Sequence, residues 1–277
     1  MSLVCVGDNV ADYYYQKEEF FPGGSAYNVA VLSQRLGMET AYIGRFGNDG
    51  PGEYLLDFLQ NENVDISHVE VGEGSNAFSV VKKIAGESKI TKVDKGVYKN
   101  FSLDNSDLNF IKNFDLMHTT LYSYTEKYLS FFREEDINIS FDFSFCRDFN
   151  YLKKLVPDVN LAFFSSEGED QEKIKELMSS IYDLGADYVI FTLGKEGVLV
   201  LVNNQFHYQK AKKTKIIDPL GAGDAFISMF LNDFISNHKV NDNEQLKNYE
   251  LKKILKKSVD FAAKNCRHYG TIKIRRE

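Results

Sequence analysis

Short apolar runs recur along this chain and are separated by longer amphipathic stretches. Ser2 to Val6 is apolar and closed by Gly7-Asp8, the pattern of a buried strand that delivers polar groups at its carboxyl end. From Gly24 the period changes: Val29, Leu32 and Leu36 share one helical face and Gly37 follows as a stop, which predicts a helix. Further runs at Ala41 to Ile43, Leu116 to Thr119, Asn138 to Phe143, Leu161 to Phe164 and Tyr188 to Leu193 alternate with helical stretches such as Asp170 to Leu184. Such alternation predicts an α/β fold with a mostly parallel sheet covered on both faces by helices. In sheets of this kind ligands sit beyond the carboxyl ends of the strands.

Two segments depart from the alternation. Residues 13–21 (YYYQKEEFF) and 75–97 read as antiparallel strands, the second with a hairpin at Gly86 to Lys89. A small β lid that shields a reaction from water accounts for both, and so does an ordinary antiparallel edge. With only four prolines, no internal repeat and no linker-like stretch, residues 1–277 are expected to form one domain with its lid.

The most informative local stretch is "IIDPLGAGDAFISMF", residues 216–230. Gly221 and Gly223 are expected to turn with positive φ, and the apolar spacing after Asp224 predicts a buried helix. Amides at such a helix start, Gly221 to Asp224, form an anion site, and Asp224 is either the cap of that helix or a general base. For a loose phosphoryl-transfer transition state a carboxylate of ordinary pKa suffices as base. Earlier in the chain, Gly23 and Gly24 permit close backbone approach or a hinge, and Asn28 carries both donor and acceptor into a helix's first turn. Asp8 and Asp12, near a strand end, suit paired sugar hydroxyls.

Composition narrows the classes. The chain is 43% hydrophobic and 26% charged, a balance that supports a packed core. Its net charge of -7 argues against a nucleic-acid or anionic-membrane surface. The basic runs at Lys210 to Lys215, Lys252 to Lys257 and Lys273 to Arg276 read as solvated faces. Three separated cysteines, five histidines without metal-ligand spacing, and no long apolar span or leader point to a cytoplasmic protein. His118 reads as a hydrogen-bonded core residue or a substrate contact, and His268 has no assigned role. Dinucleotide binding fails because the glycine turn lacks its third glycine and does not end an early strand.

Four ordered stretches, "PGGSAYNVAVLSQRLG", "IGRFGNDGPGE", "TLGKEG" and "DPLGAGDAF", resemble the PfkB or ribokinase-like carbohydrate kinases over nearly the whole chain. The resemblance implies a ribokinase-like three-layer α/β/α sandwich with a small β lid, and ATP-dependent phosphorylation of a sugar hydroxyl. It makes Asp224 the base, Gly221, Ala222 and Gly223 part of the anion hole, and Asp12, Gly24 and Asn28 the sugar contacts. Thr192, Gly194 and Gly197 match the nucleotide-holding turn. The family's Asn-x-x-Glu becomes Ser166-Glu167-Gly168-Glu169, so Glu169 matches a Mg²⁺-handling position or simply begins the next helix. Asp218 matches a position beside a monovalent-cation site, which would hold K⁺, or is a buried turn aspartate.

Finer stretches, "VGDNVADYY", "VDISHV", "FDLMHTTLYS", "SFDFS" and "RHYGT", are similar to fructoselysine 6-kinases. That subfamily implies a sugar-amine acceptor whose charged end would meet Arg45, Lys92, Lys95 or Arg147. The alternatives are a ribokinase- or fructokinase-type enzyme on a simple sugar, a nucleoside kinase, and a non-catalytic sugar sensor. A homodimer through lid residues such as Phe78, Val80 and Ile84 is a further expectation.

Overall fold

The structure, a computed structural model, describes residues 2–237 and 247–273, so the basic run's last residues, 274–276, lie outside the described residues. In chain order the elements begin β1 (Ser2–Val6), β2 (Val10–Tyr14), β3 (Glu19–Gly23), α1 (Ser25–Arg35), β4 (Glu39–Ile43), β5 (Arg45–Gly47), α2 (Gly50–Asn61) and β6 (Glu70–Gly72). There follow β7 (Phe78–Ile84), β8 (Glu87–Asp94), α3 (Asn105–Ile111), β9 (Leu116–Thr120), α4 (Leu129–Glu134), β10 (Asn138–Asp142) and α5 (Phe149–Leu155). The remainder are β11 (Leu161–Ser165), α6 (Gln171–Tyr182), β12 (Tyr188–Thr192), β13 (Gly197–Val202), β14 (Gln205–Lys210), α7 (Ala222–Asn237) and α8 (Asn248–Asn265).

Eight strands make one sheet in the order β14-β13-β12-β11-β10-β9-β1-β4. Pairing is parallel from β4 across to β12, and β13 and β14 run antiparallel at the edge. Because successive side chains of a strand face opposite ways, an all-apolar strand must be covered twice. Leu3 and Cys5 enter a core with residues of α1, α7 and α8, while Val4 and Val6 enter a second core with residues of α4, α5 and α6. That double burial builds the three layers.

Helix α7 is held by an aromatic ladder. Phe226, Phe230 and Phe234 recur every fourth residue, so their rings stack along one face at centroid spacings of 6.0 and 5.9 Å. Phe230 meets Phe163 of β11 edge-on at 5.5 Å, and Phe234 meets Tyr188 of β12 at 5.4 Å. The ladder fixes where the glycine turn before α7 stands.

A second sheet of four strands, in the order β3-β2-β7-β8, is separate from the main one, so the two exceptional segments form a lid sheet and not an edge of the main sheet. Two details differ from expectation. The β7–β8 turn is centred on Ala85 and Gly86, at φ 52° and 88°, and Glu87 to Lys89 are already strand. A two-residue turn that matches the twist of its strands needs both central residues at positive φ. Each hairpin is internally antiparallel, yet β2 and β7 pair in parallel, because the two hairpins lie side by side.

Replacing Phe230 by Ala is expected to cost about 3–5 kcal/mol through a cavity between α7 and β11. Urea unfolding should show a lowered midpoint at unchanged slope.

Candidate active site

The site begins where α1 docks on the end of β1. Gly24 precedes the helix at φ 97°, and a Cβ there would lie 2.6 Å from the Asp8 carbonyl oxygen. Gly24 has no side chain to cap the helix. The Asp8 carboxylate does that work, accepting from Ser25 N at 2.8 Å, Ala26 N at 3.2 Å and the Thr120 hydroxyl at 3.1 Å. Both Asp8 oxygens are thus committed to holding α1 in place.

Gly23 makes room for Asp12. A Cβ at Gly23 would fall 2.1 Å from Asp12 Oδ2, while Oδ1 accepts from the Ser79 hydroxyl of the lid at 2.6 Å. Asp12 is therefore carried by the lid's own strand β2, with one oxygen toward the join of lid and helix.

From the other side comes α7. Asn28 Nδ2 donates to Asp224 Oδ2 at 2.7 Å, and the Ser25 hydroxyl donates to Oδ1 at 2.7 Å. The first turns of α1 and α7 thus meet through one carboxylate. Asn28 is 3% exposed, and its Oδ1 finds no hydrogen-bond partner among the described residues. That acceptor suits a hydroxyl donor of a ligand.

Two expectations about the glycine turn need correction. Helix α7 starts at Ala222, so Asp224 lies within its first turn and turns its side chain to α1; it is not the helix cap. Gly221 has φ 74°, with a Cβ there only 2.0 Å from Thr271 Oγ1, but Gly223 is an ordinary helical residue. A Cβ at Gly223 would meet no atom within 4 Å, so packing gives no reason for a glycine; close approach of an anion to the helix start does. The Ala222 N–H is turned to the Pro219 carbonyl at 3.2 Å, which leaves Gly223 and Asp224 at the open end of the helix to supply amides.

Burial raises the Asp224 carboxyl to about 7, against the hydrogen bonds from Asn28 and Ser25 and with the charges of Asp142 and Asp8 adding to the rise. The carboxylate is thus held above the ordinary range, which would already suffice for a base that takes its proton late. Burial likewise lifts Asp12 to about 7 and Asp142 to about 6, and it raises Asp8. Sequence reasoning passed over Asp142, which ends β10, and Ser25. The signal was present for both: a carboxylate closing an apolar strand run, and a hydroxyl directly after the paired glycines.

The nucleotide-turn residues gather at the end of β12. Thr192 donates to the Phe164 carbonyl at 3.3 Å, Gly194 has φ 54°, and Gly197 allows β13 to pass β14, where a Cβ would lie 2.1 Å from Gln209 O. Glu169 is exposed and paired with Arg147 at 2.9 Å. No group of three or more His, Cys, Asp or Glu side chains among the described residues forms a metal cage. The residues present fit a mostly hydrated Mg²⁺ instead: among the described residues Asp142 has no basic partner and the buried Ser166 hydroxyl has no hydrogen-bond partner. Asp218 is fully buried and accepts from Tyr14 OH at 2.5 Å, Gly270 N at 3.1 Å and Leu220 N at 3.1 Å.

The remaining candidates are spread out. Arg147 also donates to the Cys146 and Ser165 carbonyls, Arg45 pairs with Glu70, Lys92 lies over Phe78, and Lys95 donates to Tyr124 OH. His118 is a core residue against Ser140, its pKa lowered to about 3 by burial, and His268 is turned to the Tyr269 carbonyl. No helix among the described residues is long and apolar enough to cross a membrane.

The model of the pfkB family carbohydrate kinases matches residues 2–129 and 160–276. The chain is 35% identical to the fructosamine kinase FrlD of Bacillus subtilis (strain 168), covering 98% of this chain and 92% of that protein. It is 34% identical to the fructoselysine 6-kinase of Escherichia coli (strain K12), covering 83% and 88%. The fructokinase of Vibrio cholerae O395, solved as a double mutant in a fructose, ADP and potassium ion bound form, superposes with a TM-score of 0.77 at 23% identity, covering 98% and 93%.

Asp224→Asn is expected to lower kcat on the order of 10²–10⁴-fold with KM values changed little, as steady-state kinetics would show. A base must be deprotonated, so kcat/KM should rise with pH through about 7, a range in which Asp12 also titrates. Ser25→Ala removes a hydrogen bond that lowers the Asp224 pKa, so the limb should move to higher pH.

Proposed function

Because the chain belongs to the pfkB family of carbohydrate kinases, ATP-dependent phosphotransferases of the ribokinase-like fold, we propose that it phosphorylates the 6-hydroxyl of fructoselysine or a related fructosamine. The observation that carries this acceptor is the crowd of carboxylates. Burial raises Asp8, Asp12, Asp142 and Asp224, the Asp8 charge adds to the rise of the other three, and none of the four pairs with a lysine or arginine among the described residues. An acceptor that brings an ammonium relieves that repulsion, whereas a plain ketose does not.

In this reading Asp224 orients the acceptor hydroxyl and takes its proton late. Asn28 and Ser25 hold both its oxygens so that little motion is left. Asp12 and the free Asn28 Oδ1 bind acceptor hydroxyls, and the amides at the start of α7 receive the charge of the transferring phosphoryl group. ATP lies from Thr192, Gly194 and Gly197 toward Gly221. Mg²⁺ neutralises phosphate charge when bound, with Asp142, Ser166 and Glu169 as the residues that would hold its waters. Arg147 keeps Glu169 at that end of β11. K⁺ belongs to the same proposal, since the buried Asp218 charge beside the turn pairs with no lysine or arginine among the described residues.

Free thiols at Cys5, Cys146 and Cys266 and the use of ATP support a cytoplasmic setting. The lid exposes Ile84, Ile90 and Val93 at 47%, 50% and 58%, and a second lid would cover them in a homodimer; a monomeric mass by light scattering would refute that pairing.

ADP-release assays across fructosamines, fructose, ribose and nucleosides test the acceptor. Fructosamines should give the highest kcat/KM, by about tenfold or more over fructose, and the advantage should shrink as salt is raised. Equal use of fructose, or an advantage indifferent to salt, would remove the amine from the proposal.

A further inference from the structure

The anion-hole turn is braced from one buried point. Asp218 holds Leu220 N with one oxygen and Gly270 N with the other, at 3.1 Å each. Leu220 leads into Gly221, and Gly270 leads into Thr271, whose side chain packs directly on Gly221. The backbone of Asp218 is itself pinned, since Ile217 N and Asp218 N both donate to the Cys266 carbonyl. Two of the three donors to this carboxylate belong to the turn and its backing segment.

The third donor comes from the lid. Tyr14, on β2 and 4% exposed, donates its hydroxyl to Asp218 Oδ2 at 2.5 Å. Its ring packs on Phe21 at 4.7 Å and edge-on to Tyr269 at 6.1 Å, within a small cluster that also reaches Leu220. Asp12 lies two residues earlier on the same strand, and alternation places both side chains on one face of the lid sheet. Register confirms it, with Asp12 opposite Ser79 and Tyr14 opposite Val81 on β7.

We propose that Tyr14 is a positioning residue for phosphoryl transfer: through Asp218 it fixes the turn before α7 in response to the lid strand that carries Asp12. The inference rests on reading Gly221 to Asp224 as the anion hole. Acceptor seated against Asp12 would hold β2 down, and Tyr14 would pass that constraint through Asp218 and Leu220 to the amides of Gly223 and Asp224. A burden on the transition state, not on acceptor affinity, is the mark of such a residue.

Kinetics of Tyr14→Phe, which keeps the ring and removes only the hydroxyl, are the test. The variant should lose about tenfold in kcat while KM for acceptor and for ATP stays within about twofold. Tyr13→Phe, on the opposite face against Phe20, should leave both unchanged. Tyr14→Phe combined with Asp218→Asn should be no slower than Asp218→Asn alone. Near-UV circular dichroism and Tm establish that each variant is folded. Unchanged kcat, a loss confined to acceptor KM, or additive losses in the double variant would each overturn the proposal. If Tyr14→Phe does not fold, Asp218→Asn decides alone: kcat reduced at constant KM supports it, and unchanged kcat overturns it. Asp224→Asn is the reference arm, for if that variant keeps turnover the anion-hole reading fails first and this inference falls with it.

Discussion

The carboxylate of Asp224, gripped by Asn28 and Ser25, is the contact on which the site depends. Two helices from opposite ends of the chain meet at their first turns, and both turn positive dipole ends to the same small volume, with the α1 amides already held by Asp8. An arrangement like that is unfavourable without negative charge between the helix ends. Asp8 supplies part of it under α1, and Asp224 supplies the rest. Burial then makes each added carboxylate harder to ionise, which is why the carboxylates gathered here have raised pKa values.

That tension separates structural carboxylates from chemical ones. Asp8 and Asp218 spend their lone pairs on protein donors, so each behaves as a brace. Asp12, Asp142 and Asp224 each accept fewer bonds and keep acceptor capacity to spare. The division cannot be seen from residue type, since all five are aspartates near strand ends or turns. It follows from which backbone amides happen to lie within reach after folding.

Much of the architecture was readable in the sequence because it rests on period and punctuation. Apolar runs marked the parallel strands, the Val29, Leu32 and Leu36 spacing marked α1, and the paired glycines marked the docking of lid on helix. What escaped was nonlocal. The side-by-side parallel pairing of β2 with β7 depends on how two hairpins fit together, and Asp142 gains its importance only from neighbours on β1 and α7. The cap reading of Asp224 failed for a similar reason: a local rule favoured its own helix, whereas two donors from α1 offered stronger satisfaction.

The lid closes the physical logic. A carboxylate base at about 7 is useful only if water is kept from competing for the phosphoryl group, and a lid that excludes water also deepens the burial that raises the pKa. Shielding and basicity therefore have one cause. The contact that seats the lid on the anion-hole turn, Tyr14 on Asp218, comes from the strand that also carries Asp12, which Ser79 of the neighbouring lid strand holds. A lid attached there cannot shift without moving a donor to the carboxylate that braces the anion-hole turn, so covering the acceptor and shaping that turn are linked.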